Sequence, residues 1–371
     1  TLPSSAEKGD QIVLIDYART WGTNSIFIDS NGLNYQGNDD TYTVEYNTDG
    51  QSVNIVYSDA TKGWIPLEDD VTADVPVAPP TQKAIFGFGL TASNVSMTNL
   101  VNSSGVVATD VTGVGTARQF LAAAGYGGDK AIFGYGTTGS RVSLTNLVSN
   151  SGVVAADTTG VGTARDGSAA CSYGLDKAIF GYGSTGSSSS LTNLVSNSGV
   201  VASDTTGVGT ARSQLAAAGY GLDKGIFGYG YDGSSRVSMT NLVNSSGVVA
   251  SDVTGVGTAR NALAAASYGT DKAIFGYGSD ATTGQSMTNL VSNTGVVSSD
   301  VTGVGIARSI LAAASYGGDK AIFGYGYKSD PGGGNLSLTN LVSNSGVVAA
   351  DVTGVGTARR ALAAAGYSTS A

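Results

Sequence analysis

The 371-residue chain contains no histidine and a single cysteine, Cys171. Without histidine, the chain cannot form a Ser-His-Asp triad, a Cys-His pair or a histidine-ligated metal site. A single cysteine also allows no disulfide bond within the chain, and free cysteine packs like a small hydrophobic side chain. We therefore expect Cys171 to be a buried small residue, and we assign neither a cofactor nor a metal.

Basic residues and long apolar runs are scarce as well. Lys and Arg number 19 against 28 Asp and Glu, a formal net charge of −9, which disfavours binding to nucleic acid and to anionic membrane surfaces. No run of 18 apolar residues and no signal-peptide pattern occurs, so we predict a soluble chain without membrane insertion. Because the chain begins with Thr1, we expect either a processed chain or the C-terminal part of a longer protein.

Proline is rare, with 6 residues, whereas glycine is abundant, with 55. The glycines follow no three-residue period, which excludes a collagen. Instead, the string K-A/G-I-F-G-F/Y-G recurs at intervals of 47 or 48 residues, beginning at Lys83, Lys130, Lys177, Lys224, Lys272 and Lys320. Internal repeats of this length are typical of solenoids and propellers.

Each repeat contains short segments rich in β-branched and aromatic residues, separated by Gly, Asn, Asp and Ser, which is typical of strands and turns. We predict four strands per repeat, with the sequences LAAAGY (strand A), KAIFGYG (strand B), LTNLV (strand C) and GVVA (strand D). The tight turns G-x-D-K and N-S-G would join A to B and C to D. Alternation in strand B turns Phe133 and Gly134 to opposite sides, so that aromatic residues of one repeat can lie over glycines of the next.

The array of repeats begins with a strand B at Lys83 and ends with a strand A at residues 361–367. The last strand is therefore the one that the first repeat lacks, and pairing the two would close a ring without an open sheet edge. A solenoid would instead show atypical polar repeats at its ends. We predict an all-β chain, in which residues 83–371 form a six-bladed β-propeller closed by its C-terminal strand, preceded by a small N-terminal all-β domain.

The motif GTAR..LAAAGYG.DKAIFGYG resembles a kelch-type repeat, in which an arginine precedes the inner strand and a glycine pair follows the second strand. The resemblance extends over residues 83–371 and implies blade architecture. This sequence has G-Y-G in place of the glycine pair and lacks the tryptophan expected ahead of the arginine. The resemblance therefore implies no kelch partner and no kelch activity.

Residues 1–68 are a different module, in which apolar and polar residues alternate between N-G, T-D-G and G-N-D turns. The acidic, Pro-bearing residues 69–82 predict a semi-rigid linker. The stretches LPSS..GDQIVLIDYA.TWGTNSIFI..NG.NYQG and VNIVYSDATKGW resemble a domain that recurs in tail fibres and other virion appendages of bacteriophages. This resemblance implies a location on the virion, contact with other virion structural proteins and assembly as a homotrimer.

Several repeated polar residues invite a chemical interpretation. Asp157 with Arg165, like its equivalents, would form a salt bridge that fixes the D–A connection, because catalysis needs an asymmetric set of residues. Asp176 and Lys177 belong to a solvated turn. The G-Y-G and G-V-G-T strings lack the G-K-S/T ending of a phosphate-binding loop, and residues 327–335 contain one carboxylate, whereas calcium sites usually gather several.

Variation among the repeats is concentrated at one end of the predicted strands. Antiparallel pairing places the variable B–C loop and D–A connection at that end, and the nearly constant A–B and C–D turns at the other. Drift of unconstrained loops is one explanation, but drift should not spare the opposite end. We therefore predict a surface that binds a host cell-surface glycan or protein through aromatic and basic side chains. The residues are Phe120, Arg141, Tyr231, Arg236, Tyr327 and Lys328.

These observations favour a non-enzymatic structural protein of a bacteriophage tail fibre or other appendage, which recognises the host surface. Two alternatives remain open. A glycan-degrading enzyme would need two neighbouring carboxylates found in single repeats, for which Asp166, Asp232, Asp280 and Asp330 are unpaired candidates. A virion decoration or spacer protein would use the propeller only to contact other virion proteins.

Overall fold

The computed structural model describes residues 1–41, 44–71, 81–330 and 332–370. The chain divides into two compact units, Thr1–Val77 and Ala78–Ala371. All regular elements of the described residues are β-strands, which confirms the all-β prediction. A search of these residues for a helix able to span a membrane finds none.

The first unit contains a small sheet with a hydrophobic core. Its strands in the described residues are β1 (Gln11–Ile15), β2 (Ile26–Ile28), β3 (Val44–Tyr46), β4 (Gln51–Asp59) and β5 (Gly63–Val71). Strands β1, β4 and β5 form one sheet in that order, and β2 pairs with β3. Alternation along β4 buries Val53 and Ile55 beside Trp64. Strand β5 ends beyond the predicted domain end at residue 68, and residues 72–80 of the predicted linker lie outside the described residues.

The second unit repeats one antiparallel sheet of three strands, which correspond to the predicted strands A, B and C. Within its described residues this sheet occurs six times. The A strands are β8 (Ala122–Tyr126), β11 (Ala169–Tyr173), β14 (Ala216–Tyr220), β17 (Ala264–Tyr268), β20 (Ala312–Tyr316) and β25 (Ala363–Tyr367). The B strands are β6 (Lys83–Leu90), β9 (Lys130–Gly134), β12 (Lys177–Gly181), β15 (Lys224–Gly228), β18 (Lys272–Gly276) and β21 (Lys320–Gly324). The C strands are β7 (Asn94–Val101), β10 (Thr145–Val148), β13 (Thr192–Val195), β16 (Thr240–Val243), β19 (Thr288–Val291) and β24 (Thr339–Val342), and a further hairpin joins β22 (Tyr327–Lys328) to β23 (Gly334–Asn335).

The prediction of a regular strand D is wrong. The GVVA segments form only isolated bridges to the C strands, such as Val107 to Val101. The side chain of Asn99 takes over part of the pairing, because its Nδ2 donates to the carbonyl oxygen of Ala108 at 3.0 Å and to Asp110 at 2.9 Å. An asparagine side chain thus holds this segment beside the sheet in place of a continuous backbone ladder.

The two ends of the second unit meet, as predicted. Strand β25 pairs with β6, from Ala363 opposite Gly87 to Tyr367 opposite Lys83. Neighbouring A strands contact one another in the order β8, β11, β14, β17, β20, β25 and back to β8. This arrangement of repeated three-stranded sheets is compatible with a β-propeller-like fold.

Each B strand packs tightly against the preceding sheet. A Cβ added to Gly87 would lie 2.6 Å from Cζ of Phe133, and one added to Gly134 would lie 2.6 Å from Cζ of Phe180. The glycine leaves the space that the aromatic ring of the next sheet fills, which confirms the predicted packing of aromatic residues over glycines. Phe133 and Phe180 are fully buried.

The repeated arginines are fully buried between neighbouring sheets. The guanidinium carbon of Arg118 lies 4.4 Å from the ring centroid of Phe88 in the preceding sheet, and its Nη1 lies 3.7 Å from Oδ1 of Asp157 in its own sheet. The predicted pairing of Asp157 with Arg165 is wrong, because the connection that ends in Arg165 has already crossed to the following sheet. Arg165 pairs there with Asp204 at 3.7 Å.

Candidate recognition surface

Both variable stretches of the repeats lie side by side at one end of the sheets. Backbone bridges join each residue that follows a buried arginine to the beginning of a B–C loop: Gln119 to Thr137, Asp166 to Ser184, Ser213 to Tyr231, Asn261 to Ser279, Ser309 to Tyr327 and Arg360 to Leu90. We call the two sets of residues together the variable rim. It comprises residues 119–120, 166–167, 213–214, 261–262, 309–310 and 360–361, with the loops 90–95, 137–142, 184–189, 231–237, 279–285, 327–330 and 332–336.

At the centre of the variable rim, six residues form a closed series of backbone hydrogen bonds. The N–H of Phe120 donates to the oxygen of Ala361 at 2.9 Å, and each following pair continues the series until the N–H of Ala361 reaches the oxygen of Ile310 at 2.9 Å. The members are Phe120, Gly167, Gln214, Ala262, Ile310 and Ala361, which line a depression of about 80 Å³.

The residues of this hydrogen-bonded series have left-handed backbone conformations. The φ angles are 53° for Phe120 and 56° for the β-branched Ile310, and this conformation costs a non-glycine residue roughly 1–2 kcal/mol. Glycine would relieve the strain but occupies only one of the six positions, Gly167. The hydrogen bonds hold the other side chains, including the half-buried Phe120, at the mouth of the depression.

The Lys and Arg residues of the second unit that do not recur at a repeated position also lie on the variable rim. From Lys83 onwards, every Lys and Arg occupies one of two repeated positions except Arg141, Arg236, Lys328 and Arg360. All four of these residues belong to the variable rim. The opposite end carries the repeated Asp-Lys turn, in which Nζ of Lys177 lies 3.1 Å from Asp176, so its charges are nearly the same in each repeat.

Two of the predicted basic residues bridge neighbouring sheets. Nε of Arg141 donates to Oδ1 of Asp166 at 3.1 Å, and its Nη2 donates to Ser184 at 3.3 Å. Nε of Arg236 donates to Oδ1 of Asn261 at 3.0 Å. Arg141 is exposed and Arg236 is half-buried, so each retains accessible donors beside its structural contacts.

The predicted aromatic residues do not converge on a single point. Tyr231 is half-buried, and its carbonyl oxygen accepts a hydrogen bond from Ser188 at 3.3 Å. Tyr327 and Lys328 form β22 in another loop, where Nζ of Lys328 lies 4.0 Å from Asp330. The six predicted residues are therefore distributed around the rim, with Phe120 near its centre.

Sequence reasoning missed Arg360. Its guanidinium carbon lies 4.7 Å from the ring centroid of Tyr327, and its Nη1 donates to Oδ1 of Asn335 at 3.2 Å. The neighbouring Ala361 accepts the backbone hydrogen bond of Phe120, so Arg360 lies between the two aromatic residues along the rim. The signal was present in the sequence, because the five equivalent positions carry Gln119, Asp166, Ser213, Asn261 and Ser309, none of them a cation.

Each of the four carboxylates considered for catalysis either accepts hydrogen bonds within its own loop or lies beside a nearby arginine or lysine. Asp232 accepts hydrogen bonds from the backbone N–H groups of Ser235 and Ser234, which lower its pKa to about 2. Asp280 accepts from Thr282, Thr283 and Gln285, while Asp166 and Asp330 lie beside Arg141 and Lys328. Over the described ranges, no group of three metal-ligating side chains comes together.

No protein-family model matches the sequence, and no curated protein matches it. The resemblances to kelch repeats and to bacteriophage appendage domains therefore remain predictions.

Proposed function

We propose that the chain is a non-enzymatic structural protein of a bacteriophage tail fibre or other virion appendage, and that it recognises a host cell-surface glycan or protein. In this proposal, the second unit is a six-bladed β-propeller and the variable rim is its binding face. One observation carries the proposal: residue variation, unrepeated positive charge and half-buried aromatic side chains occur together at one end of a scaffold that is otherwise repetitive.

Two closed series of hydrogen bonds support the propeller. The first is the series of six backbone bonds at the variable rim. The second lies at the other end of the A strands and joins the A–B turn of each sheet to that of the next. The N–H of Gly127 donates to the oxygen of Asp176 at 2.7 Å, and the N–H of Ser368, at the end of the last A strand, donates to the oxygen of Asp129 at 2.8 Å. Together with the pairing of β25 and β6, they are what a ring of blades requires.

The backbone of the rim supports a role in binding. Recognition residues are commonly presented by loops on a rigid scaffold, and strained backbone conformations cluster at ligand-binding sites. Here Phe120 is held in a left-handed conformation by the hydrogen-bonded series, and the tyrosines are fixed by backbone bridges to the preceding connection. Such a surface is preorganised, which lowers the entropic cost of binding a ligand.

The first unit supports the proposed assembly with other copies and with virion proteins. Alternate residues of β1 and the residues that follow it expose apolar side chains: Val13 is 58% exposed, Ile15 59% and Tyr17 97%. Exposed apolar patches are typical of protein contacts. A homotrimer is the assembly we propose, and light scattering of the purified chain tests it, because a mass of one 36.9-kDa chain would contradict it.

Binding and sugar release, measured together, separate this proposal from its alternatives. The full chain is applied to a glycan array and to a panel of bacterial strains, and soluble sugar is measured after incubation. Binding without release of sugar is the expected result. Release of sugar would establish a glycan-degrading enzyme, and a chain that neither binds nor releases sugar would be a decoration or spacer protein.

A further inference from the structure

We propose that Arg360 binds the anionic group of an acidic saccharide on the variable rim. This inference rests on the proposed recognition function and specifies its ligand. It starts from a rim position where a cation replaces the neutral or acidic residues of the other repeats.

The backbone of Arg360 is fixed on both sides. Its N–H donates to the oxygen of Leu90 at 3.1 Å, and its own oxygen accepts from the N–H of Leu90 at 2.7 Å. The side chain lies over Tyr327 and uses Nη1 for Asn335. A guanidinium held in this way is preorganised, so little conformational freedom is lost when it binds a ligand.

The guanidinium of Arg360 has donors to spare. Arg141 donates to Asp166, whereas Arg360 forms no ion pair with a carboxylate in the described part of the chain, and Asn335 takes only one of its hydrogen bonds. A forked guanidinium with donors to spare matches the paired oxygens of a carboxylate or phosphate.

The surroundings favour a sugar as the carrier of this anionic group. Phe120 offers an apolar surface next to Ala361, at the mouth of a depression of about 80 Å³. That volume accommodates two or three water molecules at about 30 Å³ each, and thus a substituent rather than a whole ring. The surrounding loops are rich in Ser and Thr, whose hydroxyl groups donate and accept hydrogen bonds as sugar hydroxyls require.

The test uses matched saccharides and the full chain. The probes are an oligosaccharide ending in glucuronic acid, the same oligosaccharide ending in glucose 6-phosphate, and the same oligosaccharide ending in glucose. We expect the chain to bind at least one acidic probe about tenfold more tightly than the neutral one. The stronger of the two acidic probes identifies carboxylate or phosphate as the recognised group.

Arg360→Asn introduces the residue that the equivalent position 261 already carries, and it should reduce the preference for the acidic probe to about twofold or less. Arg360→Lys should retain part of the preference, because the charge remains while the fork is lost. Lys224→Gln removes the same charge from a turn at the opposite end and should leave the affinity unchanged. Melting curves establish that all variants fold.

Each of the following results would overturn the inference. Equal affinity for acidic and neutral probes would show that the anionic group is not recognised, while the proposed recognition function would stand. If the Arg360→Asn variant still prefers the acidic probe as strongly as the original chain, the anionic group binds at a site other than Arg360. If the chain adsorbs to bacterial cells but binds no saccharide probe, a saccharide is the wrong ligand class. If the chain binds neither the saccharide probes nor bacterial cells, the proposed function is overturned as well.

Discussion

Cys171 and Gly225 share one space between neighbouring sheets, because a Cβ added to Gly225 would lie 2.6 Å from the sulfur of Cys171. In the other repeats both positions are alanine: Ala124, Ala218, Ala266, Ala314 and Ala365 correspond to Cys171, and Ala84, Ala131, Ala178, Ala273 and Ala321 correspond to Gly225. The larger side chain in one strand is thus matched by the absence of a side chain in the next.

This relationship predicts strong coupling between two substitutions. Gly225→Ala should destabilise the chain by about 1–3 kcal/mol, because the core is already filled by the cysteine sulfur. Cys171→Ala should cost about 1 kcal/mol, because it leaves a void. The double variant restores the alanine pair of the other repeats, and its free energy of unfolding in urea should lie within about 0.5 kcal/mol of the original chain. Losses that simply add would show that the two residues do not share one space.

A second prediction concerns the contact of glycine with an aromatic ring. A Cβ on Gly181 would lie 2.6 Å from Cζ of the buried Phe227, so Gly181→Ala should destabilise the chain by about 1–3 kcal/mol. Gly334→Ala is the matched control, because no heavy atom lies within 4 Å of the added Cβ and φ is not positive there. Equal melting temperatures for the two variants would contradict this packing.

Double-mutant cycles can test whether Arg165 pairs with Asp204 rather than with Asp157. Arg165 is fully buried, and its Nη1 lies 3.7 Å from Asp204, which is 25% exposed. Arg165→Gln combined with Asp204→Asn should give a coupling energy of about 1–3 kcal/mol. The cycle of Arg165→Gln with Asp157→Asn should give almost none, since Asp157 pairs with Arg118. A larger coupling energy for Arg165 with Asp157 than for Arg165 with Asp204 would instead support the pairing expected from the sequence.

The repeated aspartates predict a loss of stability in acid. Burial alone would raise the pKa of Asp157, but hydrogen bonds from Thr116 and Asn146, together with the charge of Arg118, hold this pKa below the ordinary 3.8. The pKa of Asp204 is lowered in the same way, by hydrogen bonds from Thr163 and Asn193 and by the charge of Arg165. A carboxyl group with a lowered pKa stabilises the folded state above its unfolded pKa, and this contribution is lost as the pH falls through the folded pKa.

The urea midpoint of unfolding should therefore be nearly constant from about pH 7 to about pH 5 and should fall steeply below about pH 4. Asp204→Asn serves as a control, because removing one of these carboxyl groups should make the dependence on pH shallower. A midpoint that rises between pH 5 and pH 3 would contradict the assigned environment of the aspartates.

The repeated architecture could be predicted from the sequence because it is encoded in local patterns. Strands A, B and C follow from short runs of β-branched and aromatic residues between turns, and the pairing of β25 with β6 follows from the offset between the first and last repeats. Strand B nevertheless ends at Gly134 rather than continuing, since Tyr135 adopts a φ of 64°. The prediction of a regular strand D was wrong because hydrogen bonds from the Asn99 side chain replace part of the backbone hydrogen bonding of such a strand.

Contacts between sheets could not be predicted in the same way. Arg165 lies eight residues after Asp157 in the sequence, and nothing in that spacing shows that the connection has crossed to the sheet of Asp204. The importance of Arg360 depends on its position over Tyr327, which lies in a different sheet. The sequence does show that Arg360 departs from its equivalents, but only the fold brings it beside the predicted aromatic residues.

Adsorption to bacterial cells shows whether the variable rim recognises the host surface. Phe120→Ala, Tyr231→Ser and Tyr327→Ser introduce residues that equivalent positions already carry, at Ala262, Ser184 and Ser279. The triple variant should keep its melting temperature and adsorb at least about tenfold more weakly to strains that bind the original chain. Unchanged adsorption of a folded triple variant would contradict the assignment of this rim as the recognition surface.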